Sequence, residues 1–300
     1  MNSTIPHITI CVCTYRRPEL LGRLLAEVSR QETNGLFSFS VVVADNDAAE
    51  SAKPVIAEFT RGNKMPVVYC TETRRNIALA RNQTVAHAQG EFIAFIDDDE
   101  FPEKGWLLNM FNACTRNKVS GVLGPVISHY DIEPPKWVRA GGFYERPRHV
   151  TGFKLGWQEC RTGNVLFKRS ILADLAEPFR AEFGSGGEDQ DFFCRLMQKD
   201  HEFIWCDEGV VYEVVPLSRC KRGFMISRAL LRGRNSLQHR ESRARILFKS
   251  IIACPLYMLA LPVLFIVGQH YFMKYLVRLA DHAGRILAVV GANPIKERPM

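Results

Sequence analysis

Five apolar residues, Phe92-Ile93-Ala94-Phe95-Ile96, run straight into three consecutive aspartates, Asp97-Asp98-Asp99. The apolar run reads as a buried strand. Three adjacent carboxylates behind it repel one another and are costly to hold ionised. A second run, Phe39–Ala44, ends on Asp45-Asn46-Asp47. Ligands of open α/β sheets bind outside the carboxyl ends of the strands, so the two acidic clusters are expected to share one crevice. A divalent cation would relieve the repulsion. If strand geometry continues past Ile96, Asp97 and Asp99 project the same way and can share it. The other readings are a solvated acidic turn, or Asp99 capping a helix.

The surrounding pattern sets the fold class. Ile8–Cys13 is a short strand-like run, and Pro18 opens a helix carrying Leu20, Leu21, Leu24, Leu25 and Val28 at helical spacing. Phe39–Ala44 is followed by a helical stretch, Val67–Cys70 by a helix over Arg74–His87, and then comes Phe92–Ile96. Further strands are expected at Val119–Val126 and Thr162–Phe167, and a helix from Asp189 through Met197. Pro134, Pro135, Gly141, Gly142 and Pro147 mark a loop-rich stretch between. Alternating strands and helices predict an α/β layer with a mixed, mainly parallel sheet flanked by helices. The strand after which a dinucleotide or P-loop fold would place glycines is followed instead by Thr14-Tyr15-Arg16-Arg17-Pro18. That disfavours both a dehydrogenase and a P-loop kinase.

The net charge of +7 is unevenly spread. Arg219–Lys249 holds ten Lys/Arg and one acid, so this window carries +9 and the rest −2. Ile251–Gly268 follows, eighteen residues without a formal charge and interrupted by Pro255 and Pro262. Basic residues beside such a stretch suit an anionic membrane surface better than nucleic acid, and no aromatic interleaving of stacking type accompanies them. Two domains follow: a catalytic unit over 1–218 and a basic, membrane-associated helical region over 219–300. Met1–His7 has no basic lead-in and Ile8–Cys13 is too short for a secretory core, so no leader is expected. The nine cysteines contain no Cys-x-x-Cys pair and read as buried hydrophobes in a reducing compartment.

Cys13-Thr14-Tyr15-Arg16-Arg17-Pro18, Val43–Asp47, Asn76 to Asn82, Phe95–Asp99 and Gly187-Glu188-Asp189-Gln190-Asp191 with Arg195-Leu196 stand in an order that resembles the family-2 glycosyltransferases of GT-A fold. Ala44–Ala48, Gly124-Pro125-Val126, His129-Tyr130 and Gly186–Asp189 are similar in particular to bacterial exopolysaccharide β-glucosyltransferases of succinoglycan type. The resemblance covers roughly residues 7 to 240. It implies an inverting, metal-dependent transfer of a hexose, glucose from UDP-glucose, onto a lipid-linked saccharide. Asp189 is then the general base. Thr14, Tyr15, Arg16, Asp45, Asn76, Arg81 and Asp98 form the donor-nucleotide site, and Asp97 and Asp99 hold Mg²⁺ or Mn²⁺. Glu213, Asn164, Glu188 and Trp157 are candidates for further metal or acceptor contacts.

Where many relatives carry a histidine after the Glu-Asp helix and its next strand, this chain has Tyr212, followed by Glu213. A degenerate GT-A domain that binds sugar nucleotide without turnover is therefore a competing reading; intact Asp97, Asp99 and Asp189 argue against it. A sugar-nucleotide pyrophosphorylase would need glycines where Thr14–Arg17 stand. The basic window and apolar stretch place the enzyme at the cytoplasmic face of the inner membrane, peripheral or monotopic. The prolines, together with the basic tail of Lys274, Arg278, Arg285, Lys296 and Arg298, favour a re-entrant or in-plane helical hairpin with both termini cytoplasmic over a single span.

Overall fold

The computed structural model describes residues 5–184, 186–236 and 243–292. Arg240, Lys296 and Arg298 of the basic segments lie outside them. Among the described residues, seven strands form one sheet in the order β3-β2-β1-β4-β8-β6-β9. These are β1 (His7–Thr14), β2 (Ser38–Asp45), β3 (Val67–Thr71), β4 (Phe92–Ile96), β6 (Gly121–Leu123), β8 (Asn164–Lys168) and β9 (Phe203–Trp205). β1 pairs in parallel with both β2 and β4, β2 with β3, and β6 with β9; β8 runs antiparallel between β4 and β6. The sheet is mixed and mainly parallel, as the strand–helix alternation predicts.

Both faces of this sheet are buried, which is why its strands read as near-continuous apolar runs. Ile8, Ile10 and Val12 of β1 and Phe92, Ala94 and Ile96 of β4 face one core, with Leu21, Leu24 and Leu25 of α1 (Pro18–Val28), Ile56 of α2 (Lys53–Gly62) and Trp106 and Met110 of α4 (Trp106–Asn117). Cys11, Ile93 and Phe95 face the other. There they meet Ala78 of α3 (Ile77–His87) and Phe192, Phe193 and Leu196 of α6 (Glu188–Met197). Phe95, Phe167, Phe179 and Phe192 pack ring on ring within that core.

The chain divides into two compact units, Met1–Ile127 with Arg146–Glu213, and Ser128–Glu145 with Val214–Met300. The strand expected over Val119–Val126 is two strands. β6 stays in the large sheet, while β7 (Val126–His129) joins β5 (Glu100–Pro102) and β10 (Val211–Val214) in a second sheet of order β5-β10-β7. Gly124 and Pro125 cause the break. Pro125 has no N–H for a ladder, and a Cβ on Gly124 would sit 2.2 Å from the Gly209 carbonyl oxygen.

In the second unit α7 (Arg222–Asn235), α8 (Arg243–Val267) and α9 (Gln269–Val289) follow a short α5 (Lys136–Gly141). Pro255 and Pro262 do not interrupt α8, which runs through both. Gly268 turns the chain into α9. The hairpin is packed along its length: Ser250 to His282 (2.9 Å), Tyr257 against Tyr275, and Phe265 against Phe272. On its other side α9 meets α7, where the backbones touch closely. A Cβ on Gly284 would stand 2.2 Å from the Leu230 carbonyl oxygen, and one on Gly233 2.0 Å from that of Asp281. Arg232 forks onto Asp281 beside this crossing (2.8 Å). The smaller core of this unit is Val138, Val215, Cys220 and Met225, with Trp137 and Val277 against it.

Candidate active site

The carboxyl ends of β1, β2 and β4 bring together three of the sequence's polar clusters. β4 stops at Ile96, and Asp97–Glu100 is a tight turn. The Glu100 N–H donates to the Asp97 carbonyl (3.1 Å), and the Glu100 carboxylate accepts from the Asp97 N–H (3.0 Å). The strand alternation that would aim Asp97 and Asp99 alike therefore ends one residue too early. The two have different partners. Arg17 Nη1 reaches Asp98 (2.9 Å) and Asp99 (3.1 Å), and Thr14 Oγ1 donates to Asp98 (2.8 Å). Asp97 is 49% exposed, with Arg81 Nη2 3.8 Å away.

Electrostatics follow from this packing. Burial pushes the Asp98 carboxyl up to about 6, with Arg17 opposing and Asp99 adding to the rise. Burial pushes Glu100 well up, and Asp97 and Glu213 reinforce it. For Arg81, burial alone would lower the pKa; Glu188, Asp97 and Asp189 outweigh it, and the guanidinium is held above its ordinary value. Burial raises Glu188, against the pull of Arg81.

The remaining donor-side residues line the same edge. Arg16 forks onto Asp47 (3.1 and 3.3 Å). Arg16 and Arg75 both lie over the Tyr15 ring, 5.1 and 5.0 Å from its centroid. Asp45 is fully buried. Its carboxylate accepts from the Asp47 and Ala52 N–H groups (3.1 and 2.8 Å) and from the Tyr69 hydroxyl (3.2 Å). These bonds shape the β2–α2 loop at the strand's carboxyl end. Asn46 ties that loop to α3 by accepting from the Asn76 N–H (3.0 Å). Asn76 caps α3, accepting from the Leu79 N–H (3.2 Å), and donates to the Ala181 carbonyl (2.8 Å).

α6 brings in the Glu-Asp pair. Its cap, Gly187, has φ +99° and Gly186 +132°, backbone that L side chains rarely adopt. Three acids occupy its first turn, where the helix dipole favours them. Glu188 is buried and ion-paired to Arg81. Asp189 is 19% exposed, with Arg161 Nε 4.0 Å away. Asp191 is held by Arg195 (2.8 Å), a structural pairing.

Other candidates fall elsewhere. Asn164 is buried with its amide fully used: it accepts from Trp106 Nε1 (2.8 Å) and donates to the Pro125 and Gly209 carbonyls (3.0 and 2.7 Å). The acceptor contact expected of it gives way to a structural one. Glu213 lies opposite Glu100 in the β5–β10 pairing and is ion-paired to Arg146. Tyr212 stacks on Phe101 and donates to Glu103 (2.7 Å). Trp157, in a single 3₁₀ turn, packs at the border of the second core. Sequence reasoning missed three residues. Arg17 was visible in the Thr14–Pro18 motif. Glu100 follows directly on the aspartates. Arg161 had no signal.

Asp97 and Asp99 are hard oxygen donors of the kind Mg²⁺ and Mn²⁺ take. Among the described residues no group of three or more His, Cys, Asp or Glu side chains is arranged to hold a metal ion. One or two carboxylates completed by substrate phosphates and water is nonetheless the usual way such ions are bound at phosphate-transfer sites. The donor set fits a cation that arrives with a diphosphate.

A mainly parallel sheet with acidic strand ends, a helix-capped Glu-Asp pair and no glycine-rich phosphate loop defines a GT-A-like glycosyltransferase fold. The chain belongs to glycosyl transferase family 2, which it matches over residues 9–175. It is 35% identical over 239 residues to the succinoglycan biosynthesis protein ExoM of Rhizobium meliloti, covering 77% of this chain and 74% of that protein. Among solved structures it is similar to the mannosyltransferase PcManGT from Pyrobaculum calidifontis in complex with GDP-Man and Mn²⁺, with TM-score 0.65, 18% identity, and 98% and 89% of the two chains covered. It is also similar to S. aureus TarS 1-349 in complex with UDP, with TM-score 0.55 and 17% identity; 73% of this chain matches 63% of that one.

Proposed function

We propose that this glycosyltransferase inverts, moving a hexose from a nucleoside diphosphate, UDP-glucose by its likeness to the succinoglycan type, onto a lipid-linked saccharide in exopolysaccharide or cell-surface polysaccharide synthesis. One observation carries the reading. Arg81 of α3 touches the Glu-Asp helix and lies 3.8 Å from Asp97, so the proposed donor carboxylates and the proposed base belong to one site.

In this reading Asp189 accepts the proton of the acceptor hydroxyl as that oxygen attacks the anomeric carbon. Its partial exposure leaves it open to an incoming sugar. Thr14 and Arg17 orient Asp98 toward the ribose, and Tyr15, with Arg16 and Arg75 over its ring, meets the base. Asp97 and Asp99 would hold Mg²⁺ or Mn²⁺, which when bound supplies positive charge for the departing diphosphate. The test is transfer of label from UDP-[¹⁴C]glucose into the lipid-extractable fraction of a membrane extract. Label in that fraction with wild type and its absence with Asp189→Asn supports the reading. Label released only as free sugar from both counts against it.

The same proposal puts the enzyme on the anionic, cytoplasmic face of the inner membrane. α8 is the one described helix long and apolar enough to cross a bilayer, and almost none of its apolar stretch is buried. It is packed lengthwise on α9, which carries Lys274, Arg278, Asp281 and Arg285. A spanning α8 would pull these charges into hydrocarbon, so an in-plane hairpin is the cheaper placement.

A further inference from the structure

Arg81 and Glu188 are 107 residues apart in sequence and both buried, and each belongs to an element that frames the site. Nη1 is bonded to Glu188 Oε1, while Nη2 stands 3.8 Å from Asp97 Oδ1, too far for a hydrogen bond. The other Glu188 oxygen, Oε2, is buried without a partner. A planar guanidinium facing one carboxylate could engage both oxygens in a bidentate fork. Here the fork is spread between two carboxylates, one on α6 and one at the end of β4. α3 also bonds the segment that leads into α6, Asn76 to the Ala181 carbonyl (2.8 Å) and Asn82 to Phe179 (2.7 and 3.0 Å), but at the first turn of α6 itself, which follows Gly186 and Gly187 at positive φ, the contact is the Arg81–Glu188 pair.

We propose that Glu188 is a positioning residue acting through Arg81: the buried pair fixes the first turn of α6, and so Asp189, against the Asp97 end of β4. The inference rests on the reading of Asp189 as base. Glu188 then touches neither metal nor acceptor. Removing its charge while keeping its shape leaves Arg81 facing Asp97 and Asp189 alone. The guanidinium moves toward them, and Asp189 loses its register with the donor. A misplacement of about 1 Å costs on the order of 10²-fold in rate. Thr14, Tyr15, Arg16 and Asp98, the proposed nucleotide contacts, have partners other than Glu188, so nucleotide affinity stays in place.

The experiment is a double-mutant cycle with Glu188→Gln and Arg81→Lys in the full-length enzyme. It is read as single-turnover rate and, separately, as UDP affinity by calorimetry. The expected result is a rate loss of about 10²-fold in Glu188→Gln with UDP affinity within threefold of wild type. The double variant should be no slower than the slower single, because both remove one interaction. A wild-type rate in Glu188→Gln, a parallel loss of UDP affinity, or multiplicative effects would each overturn the proposal. If Glu188→Gln does not fold, Arg81→Lys carries the test alone: Lys keeps the charge but not the fork, and a rate within threefold of wild type contradicts the role. Asp189→Asn is measured alongside. Activity there would remove the base assignment, while the Glu188–Arg81 coupling is still scored on unaltered Asp189.

Discussion

Asp189 stands one residue into α6, with a buried neighbour, Glu188, and an arginine 4.0 Å off. Two carboxylates side by side thus have different surroundings, and the proposed base is the more exposed of them. Asp189→Asn is expected to slow transfer by about 10²–10⁴-fold, the usual worth of a general base, and to leave UDP binding nearly intact. Calorimetry and single-turnover assays separate the two, and near-normal turnover would remove Asp189 from the mechanism. Gly187 makes the second case at this scale. At φ +99° a Cβ is strained, so Gly187→Ala should cost roughly 1–3 kcal/mol. Denaturant melts measure that loss, and an unchanged midpoint would mean the turn relaxes freely.

α3 depends on a cap that reaches in three directions. Asn76 bonds to its own helix, to the 181–184 turn and, through its N–H, to Asn46. Asn76→Ala should destabilise the catalytic unit by about 0.5–2 kcal/mol. Urea unfolding showing no shift would make the cap dispensable. α7 and α9 depend on glycine instead. Gly284→Leu would drive a side chain into the Leu230 carbonyl, and the second unit should become sensitive to protease well before the first. At this scale the sequence is legible where burial is unambiguous. β4 begins and ends where its apolar run does, because Phe92–Ile96 is apolar and buried, whereas the buried Asp98 and Asp99 that follow it turn to Thr14 and Arg17 for partners. α1 starts at Pro18, whose ring suits a first turn. α4 is absent from the sequence reading although Trp106, Leu107, Met110, Phe111 and Cys114 recur at helical spacing; Gly105 before it offers no capping side chain to mark its start. The split of 119–126 turns on Gly209, some 85 residues away, which no local pattern reveals.

In the whole molecule, the candidate site was legible as a list of residues but not as a set of pairs. Thr14 with Asp98, Arg17 with Asp98 and Asp99, and Arg81 with Glu188 join positions 81 to 107 apart in sequence. Spacing cannot predict which arginine meets which carboxylate. The same holds for the partners of Asp45 and Asn164, which lie in other elements: Tyr69 for the first, Trp106 for the second. The C-terminal apolar segment was legible by composition, and its prolines misled: α8 runs through both Pro255 and Pro262. Leu259 and Ile266 are 76% and 86% exposed on it. Leu259→Lys with Ile266→Lys should weaken co-sedimentation with anionic vesicles without lowering UDP affinity; undiminished sedimentation would move membrane binding off α8. The central claim is a single displacement at the anomeric carbon with one carboxylate as base. Its most direct test is the anomeric configuration of the newly transferred sugar, read by proton NMR from the coupling constant of its anomeric hydrogen after transfer from the α-configured UDP-glucose. A β-linked product is the predicted result, and an α-linked product would contradict it.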